Sequence, residues 1–540
     1  MAEAMLSTLS RDSLQSLNNM TSEQETSIKQ EYDEPQKDCA KRVKHGPTTV
    51  IQIGHEKRRK LSTSVTASHV VDEISKAISY EDRRDAICTA TVCFDHNLQS
   101  LHDEEMEMGA DAVLSKHLGF LMSRRDPSAK DFESSLIHEL SCTCDALEMI
   151  HRASVQAVAQ SFEKNGKELL KSLIRLVNQE LSGRLYEWGR WDCNRNSSEG
   201  NDDNDYDVSE DIHYDMTLAG KLSLESSPGE CPLMLDESSR RDTDTILRKA
   251  TKIMGHFARV SAATQPLAYC PGLLSCLISV LSFRPLINIP PEVRLNSLWI
   301  ISNLACNSNN MVMMACHPTL MSSLVAMAAR RIHAKDSLEI SVEVFRSQAI
   351  ASRALVNLSC ATENRMAMAE NHDLLDLLSV LIIQRQSDFG NGSKTIQDLL
   401  LQTRQYAVEI LRNLASSPRK NKSLLCQYQQ GKMLNVLTDA ALNDPNGQVK
   451  EKAFSTIQQL ANHETAEAMV QNPALVLALK DALLSNAGME AQGSSSSFTR
   501  EYASSTLIVL ERSITPDNPT HYQALRELLN SLSLSAENDD

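Results

Sequence analysis

Six stretches in the second half of the chain align, without internal gaps, on one pattern of residues. The first column is small: Ala250, Ser297, Ala351, Ala407, Ala453 and Ala503. Four residues on stand Met254, Ile301, Leu355, Leu411, Ile457 and Leu507, and three further on Phe257, Leu304, Leu358, Leu414, Leu460 and Leu510. Offsets of four and three place all three columns on one stripe of a helix, with a small residue where a neighbour must approach closely. The copies recur every 46 to 56 residues, so the pattern predicts an all-α solenoid in which like units stack side by side. Arrays of that kind work mainly by binding along their surface, which bounds the function early.

Composition agrees. Only 4% of residues are aromatic and 18 of 540 are glycine, so strands have little support. The thirteen cysteines, among them Cys88, Cys93, Cys270 and Cys360, are scattered through apolar helical positions with no Cys-x-x-Cys pair. They read as small buried thiols of a reducing compartment. A net charge of −16 argues against broad attachment to nucleic-acid phosphates, and direct nucleic-acid binding is not expected. The N-terminus lacks a basic start followed by an apolar core, and no run of 18 apolar residues occurs, so neither secretion nor a membrane partner is expected.

Along the chain, residues 1–70 are polar and aperiodic, as expected of a disordered tail. Residues 71–183 read as divergent N-terminal repeats, with Ala86, Ala90 and Cys93 at the column spacing. Their last segment, residues 167–181, is a strongly amphipathic helix that Gly183 is expected to end. Residues 184–241 read as an acidic mobile insertion with seven acids between Asn201 and Asp215. Trp188 and Trp191 stand at its base, either to anchor it or to dock a partner. Residues 242–515 hold the aligned array. Two spacings are stretched, and the excess in Arg331–Val344 and Arg385–Thr395 is expected in surface loops. Residues 516–540 read as a closing helix, Tyr522–Leu532, and an acidic tail.

The strings WIISNLACNSNN from Trp299, RALVNLSCATEN from Arg353 and EILRNLASSPRKN from Glu409 resemble the third helices of armadillo repeats, the family of importin-alpha and beta-catenin. The resemblance implies a right-handed superhelical α-solenoid of three-helix units. It also implies a concave groove lined by third helices, in which an asparagine of each repeat clamps the backbone of an extended peptide. The matching positions are Asn303, Asn357 and Asn413, whereas His256, Gln459 and Val509 depart from the column. These asparagines lie on the far side of the helix from the apolar stripe, and an amide suits the alternating N–H and C=O groups of an extended chain. One turn earlier on the same face stand Lys252, Trp299, Arg353, Glu409, Ser455 and Ser505. Importin-alpha-type grooves resemble a Trp and Asn ladder, and only Trp299 with Asn303 meets that pattern. The candidate groove is therefore Trp299, Asn303, Arg353, Asn357, Glu409 and Asn413, with the alternative that the asparagines only bond a neighbouring turn. A further column, Leu247, Arg294, Gln348, Arg404, Lys450 and Arg500, is basic early in the helix, against the dipole, and is assigned to surface or inter-repeat contacts.

The tail carries short motifs. Lys57, Arg58, Arg59 and Lys60, preceded by Lys41, Arg42 and Lys44, resemble a two-part nuclear localisation signal. They imply an importin partner and a nuclear location, with possible exchange with the cytoplasm. Ser62 follows the run, where phosphate would offset its charge. Lys29 sits in Ile28-Lys29-Gln30-Glu31, which resembles an acceptor for small ubiquitin-like modifiers.

Catalytic patterns fail on spacing. HELSC from His138 has Cys142 where a zinc protease needs a second His. The Asp388-Phe389-Gly390 triplet lacks every other kinase element, and Asp203, Asp205 and Asp207 lack the Gly and Glu of a calcium loop. No catalytic residue, metal site or cofactor is expected. The expected function is a non-enzymatic nuclear scaffold for protein partners. The alternatives are a divergent import adaptor or a regulatory or chromatin-associated subunit of a larger complex. Replacing Lys57, Arg58, Arg59 and Lys60 by Ala is expected to abolish nuclear accumulation of the tagged full chain in imaged cells.

Overall fold

A computed structural model describes residues 162–198, 237–282, 289–332, 337–384, 393–416, 419–484 and 495–513, with residues 118, 140, 143, 144 and 523. All belong to the unit Thr66–Asp540. The tail motifs, most of the divergent N-terminal region, the acids from Asn201 to Asp215, the Asp388–Gly390 triplet, and all of Tyr522–Leu532 except residue 523 lie outside them.

The described residues are helical, with no strand among them. A π-turn, Phe162–Gly166, leads into α1 (Lys167–Ser198). Then follow α2 (Glu237–Arg259), α3 (Ser261–Ala268), α4 (Leu273–Ser282), α5 (Pro291–Ala305), α6 (Ser308–Ala315), α7 (Leu320–Ala328) and α8 (Leu338–Cys360). After them come α9 (Thr362–Ala369), α10 (His372–Ile383), α11 (Lys394–Ala415), α12 (Arg419–Gln427), α13 (Lys432–Asn443), α14 (Gly447–Leu460), α15 (Ala466–Val470), α16 (Pro473–Leu484) and α17 (Ser495–Ser513). The order short, middle, long repeats: α3–α4–α5, α6–α7–α8 and so on to α15–α16–α17. Short and middle helices meet near a right angle, 84° for α3 with α4 and 95° for α6 with α7. No single described helix is long and apolar enough to cross a membrane.

Each kind of helix packs on its own kind. The long helices α2, α5, α8, α11, α14 and α17 touch in that order, as do the short helices α3, α6, α9, α12 and α15 and the middle helices α4, α7, α10, α13 and α16. The three aligned columns explain it. All eighteen of their side chains are buried, none more than 1% exposed. Burying each large aliphatic one is worth roughly 1.5–3 kcal/mol, and the small column lets successive long helices approach.

A second set of buried side chains closes the corners. Asn310, Asn364 and Asn421 sit in the short helices α6, α9 and α12, and none is more than 5% exposed. Each donates through Nδ2 to two carbonyls. Asn310 reaches Leu304 O at the end of α5 and Thr264 O in α3, both at 3.0 Å. Asn364 reaches Leu358 O at 2.9 Å and Met311 O at 3.1 Å. Asn421 reaches Leu414 O at 3.4 Å and Arg365 O at 3.2 Å. One amide thus reaches a carbonyl at a long-helix C-terminus, where donors within the helix run out, and ties its short helix to the preceding one. In the next unit Thr465 takes over the first half of this work, Oγ1 donating to Leu460 O at 2.8 Å.

The basic column closes the opposite corners. Gln348 Nε2 donates to Arg330 O at 2.7 Å, Arg404 Nη1 to Gln384 O at 3.2 Å and Lys450 Nζ to Leu442 O at 2.8 Å. Each carbonyl lies at or just past the end of a middle helix, where a cation favours the dipole that its own helix opposes. Arg404 also forms a buried ion pair with Asp444, Nε to Oδ2 3.0 Å.

Two expectations are corrected. Gly183 does not end its helix: α1 runs through it to Ser198, so residues 184–198 of the region assigned to the insertion are helical, and α2 begins at Glu237, inside its other limit. Just past the glycine, Arg184 pairs with Asp244 of α2, a tertiary tie that offsets the ~1 kcal/mol cost of a mid-helix glycine. The extra length at Arg331–Val344 and Arg385–Thr395 is likewise only partly loop. Ser337 and Ser393 cap helices that start early, their Oγ atoms accepting from Ile340 N at 3.3 Å and Ile396 N at 3.4 Å. The lengthened α8 and α11 bury a satellite core of Phe345, Ile396 and Leu400.

Asn364→Ala removes both bonds and leaves the Leu358 carbonyl at the end of α8 without its donor, and is expected to cost about 1–3 kcal/mol, read as a lower denaturant midpoint. The exposed Asn309→Ala is expected to stay within about 0.5 kcal/mol.

Candidate functional site

The long helices present one row of side chains beside their packed stripe. α5 contributes Trp299 and Asn303 one turn apart, α8 contributes Arg353 and Asn357, and α11 contributes Glu409 and Asn413. Stacking of α5, α8 and α11 brings these six together on successive helices, but their states differ.

Asn357 is only 8% exposed. Its Nδ2 donates to Ser302 O and to Cys306 Sγ of α5 and its C-cap, both at 3.1 Å. Asn413 repeats the tie more loosely, donating to Ser359 Oγ at 2.9 Å and to Cys360 Sγ at 3.7 Å. Both amides therefore bridge one long helix to the one before it, and the expectation that all three asparagines face away from the fold is corrected for Asn357. Asn303 is half-buried, and its side chain makes no hydrogen bond among the described residues. The same is true of the half-buried Trp299 indole.

Arg353 lies over the Trp299 ring, with Cζ 5.1 Å from the centroid, and Nη2 points at Cys306 Sγ at 3.8 Å. Such stacking is worth roughly 0.5–1 kcal/mol at an exposed site and holds the guanidinium in place. No carboxylate pairs with it among the described residues. Glu409, by contrast, is saturated: Arg412 Nη2 lies 2.8 Å from Oε1 and Lys452 Nζ of α14 3.1 Å from Oε2.

Several contributors were missed from sequence. Cys306 and Cys360 stand three residues after Asn303 and Asn357, a position readable in the same alignment, where they receive the amides of the next unit. Arg412 and Lys452 needed the packing of α11 on α14 to be seen as a pair around Glu409. Tyr406 joins from α11. Burial raises its phenol above the usual value, with Arg353 opposing and Cys306 adding. Burial likewise raises the Cys360 thiol, and Glu409 adds to it against Arg365 and Arg412. Both groups are thus neutral at neutral pH, and the charge on this face is carried by Arg353, Glu409, Arg412 and Lys452. No three or more His, Cys, Asp or Glu among the described residues gather so as to hold a metal ion.

No family model matches the chain, and no curated protein matches it. Among solved structures, the crystal structure of an engineered protein aligns at 17% identity over 50% of this chain and 92% of that one, with a TM-score of 0.36. A likeness that slight bears on neither fold nor function.

The two asparagines are expected to separate on substitution. Asn357→Ala removes a buried donor from a helix carbonyl and should cost about 1–3 kcal/mol in chemical denaturation. Asn303→Ala should leave the denaturation curve where it is.

Proposed function

We propose that this chain is a non-enzymatic interaction scaffold that binds an extended peptide segment of a protein partner along the long-helix face of an armadillo-type, right-handed α-solenoid. The observation that carries the reading is the pair Trp299 and Asn303. On a face where Asn357, Asn413 and Glu409 are taken up by neighbouring long helices, an indole N–H and a whole carboxamide stand one turn apart, half-exposed, with no hydrogen-bond partner among the described residues. An amide can give to a peptide carbonyl and take from a peptide N–H at one point, while an aromatic ring covers the neighbouring side chain. Each such hydrogen bond is worth only about 1 kcal/mol net, so useful affinity needs several helices at once, which the succession α5, α8 and α11 provides.

The place of action in this reading is the nucleus, with exchange to the cytoplasm. The chain is carried there by an importin that takes the basic run Lys57 to Lys60. The rival of an import adaptor is weakened on this face, because the Trp299 ring already stacks with the protein's own Arg353. Panning a random peptide library against the full chain tests the proposal. Peptides recovered should lose at least tenfold in affinity, about 1.4 kcal/mol, on Trp299→Ala with Asn303→Ala, with the circular dichroism spectrum unchanged. Unaltered affinity would refute the groove as the binding site.

A further inference from the structure

We propose that the segment received by this groove is acidic, and that Arg353, stacked on Trp299, selects it by pairing with a carboxylate of the partner peptide. The inference rests on the groove reading above and names its ligand class. Three observations support it. Arg353 already lies over one face of the Trp299 ring, and an incoming lysine or arginine stacking at that ring would bring two like charges together, which is unfavourable. Its guanidinium is held by the indole at 5.1 Å and by a weak contact to Cys306 Sγ at 3.8 Å, with no carboxylate pair among the described residues. A stacked Arg of this kind loses little freedom on gripping a carboxylate through its forked donors. Further along the face, Arg412 and Lys452 share the single carboxylate of Glu409. The row from α8 to α14 therefore carries Arg353, Arg412 and Lys452 against Glu409, a positive strip on a chain whose net charge is −16. Local charge opposed to the overall charge guides a ligand to one place on the surface.

The contact is short. Long helices packed about 10 Å apart and an extended chain rising about 3.3 Å per residue put roughly ten ligand residues across α5, α8, α11 and α14. Acids at alternate positions would face the strip, since extended side chains alternate.

The test uses three labelled peptides of one length, with Glu, Gln or Lys at alternate positions in a Ser and Ala background, titrated against the full chain by fluorescence anisotropy. The Glu peptide should bind at least tenfold more tightly than the Lys peptide, with affinity falling as salt rises. Arg353→Glu should reverse that order. Arg353→Gln, which keeps a polar side chain of similar reach, should erase the difference should the reversal variant fail to fold. Repeating the titration with the seven acids from Asp202 to Asp215 neutralised tests whether they compete with the peptide, and tighter Glu-peptide binding there also supports an acidic ligand. If the Gln or Lys peptide binds as well as the Glu peptide, the acidic assignment is overturned, and the groove reading survives only where that binding still depends on Trp299 and Asn303. If none of the three binds either form of the chain, both are overturned.

Discussion

The buried asparagine near the start of the short helices α6, α9 and α12 is the interaction on which the stack depends. A long helix ends with carbonyls that have no partner within the helix, and here those ends are covered by the next short helix rather than by water. Asn310, Asn364 and Asn421 solve this in one way, with a single Nδ2 shared between the long helix just ended and the previous short helix. The apolar columns supply most of the burial, but apolar contact alone is tolerant of sliding. A two-pronged amide is not, because both prongs must land on carbonyls within hydrogen-bonding distance. Gln348, Arg404 and Lys450 act at the opposite corner but within a unit, each tying its long helix to the end of the middle helix before it, and the Arg404–Asp444 pair reaches on to the next unit. The asparagines thus fix unit to unit while the basic column fixes the helices inside each unit, on the stack whose long helices carry Trp299, Arg353 and Glu409.

The all-helical fold and its repeat were legible in the sequence because the long helices keep a helical period through six copies. The three columns needed only spacing, and every one of their residues proved buried. The buried asparagines stand in the same quoted strings, seven residues after Asn303 and Asn357 and eight after Asn413. They were not read because a loop intervenes and the helical period does not carry across it. Gly183 misled for a different reason: its intrinsic cost is about 1 kcal/mol, less than the tertiary contacts of a helix fastened to α2 through Arg184. The stretched spacings misled because loop length and helix extension look alike until the apolar residues Phe345, Ile396 and Leu400 are seen to meet.

The candidate site was legible as a row of residues but not in its division of labour. Asn303, Asn357 and Asn413 are the same residue at the same helical position. What separates them is the preceding long helix, where the aligned position is Arg259, Cys306 and Cys360 in turn. Where a cysteine stands, the amide donates to its sulfur and to a neighbouring oxygen. Asn303, whose aligned upstream position is Arg259, makes no side-chain hydrogen bond among the described residues. The difference is written one repeat upstream of the residue it affects, so a column read alone does not disclose it.

This relation suggests where ligand capacity arises in a stacked array. Every face residue has a neighbour in its own or an adjoining unit, and in a perfectly regular repeat that neighbour uses it in the same way throughout. Glu409 is consumed by Arg412 and Lys452, and Asn357 by the end of α5. In the proposed reading, capacity for something outside the chain survives where the columns break step, as at Trp299, Asn303 and Arg353, which combine an aromatic surface with an amide unbonded and a cation unpaired with any carboxylate among the described residues. If the proposed groove is the binding site, the irregularities of the repeat are what turn a self-contained stack into a binding surface, with the regular positions holding it in place.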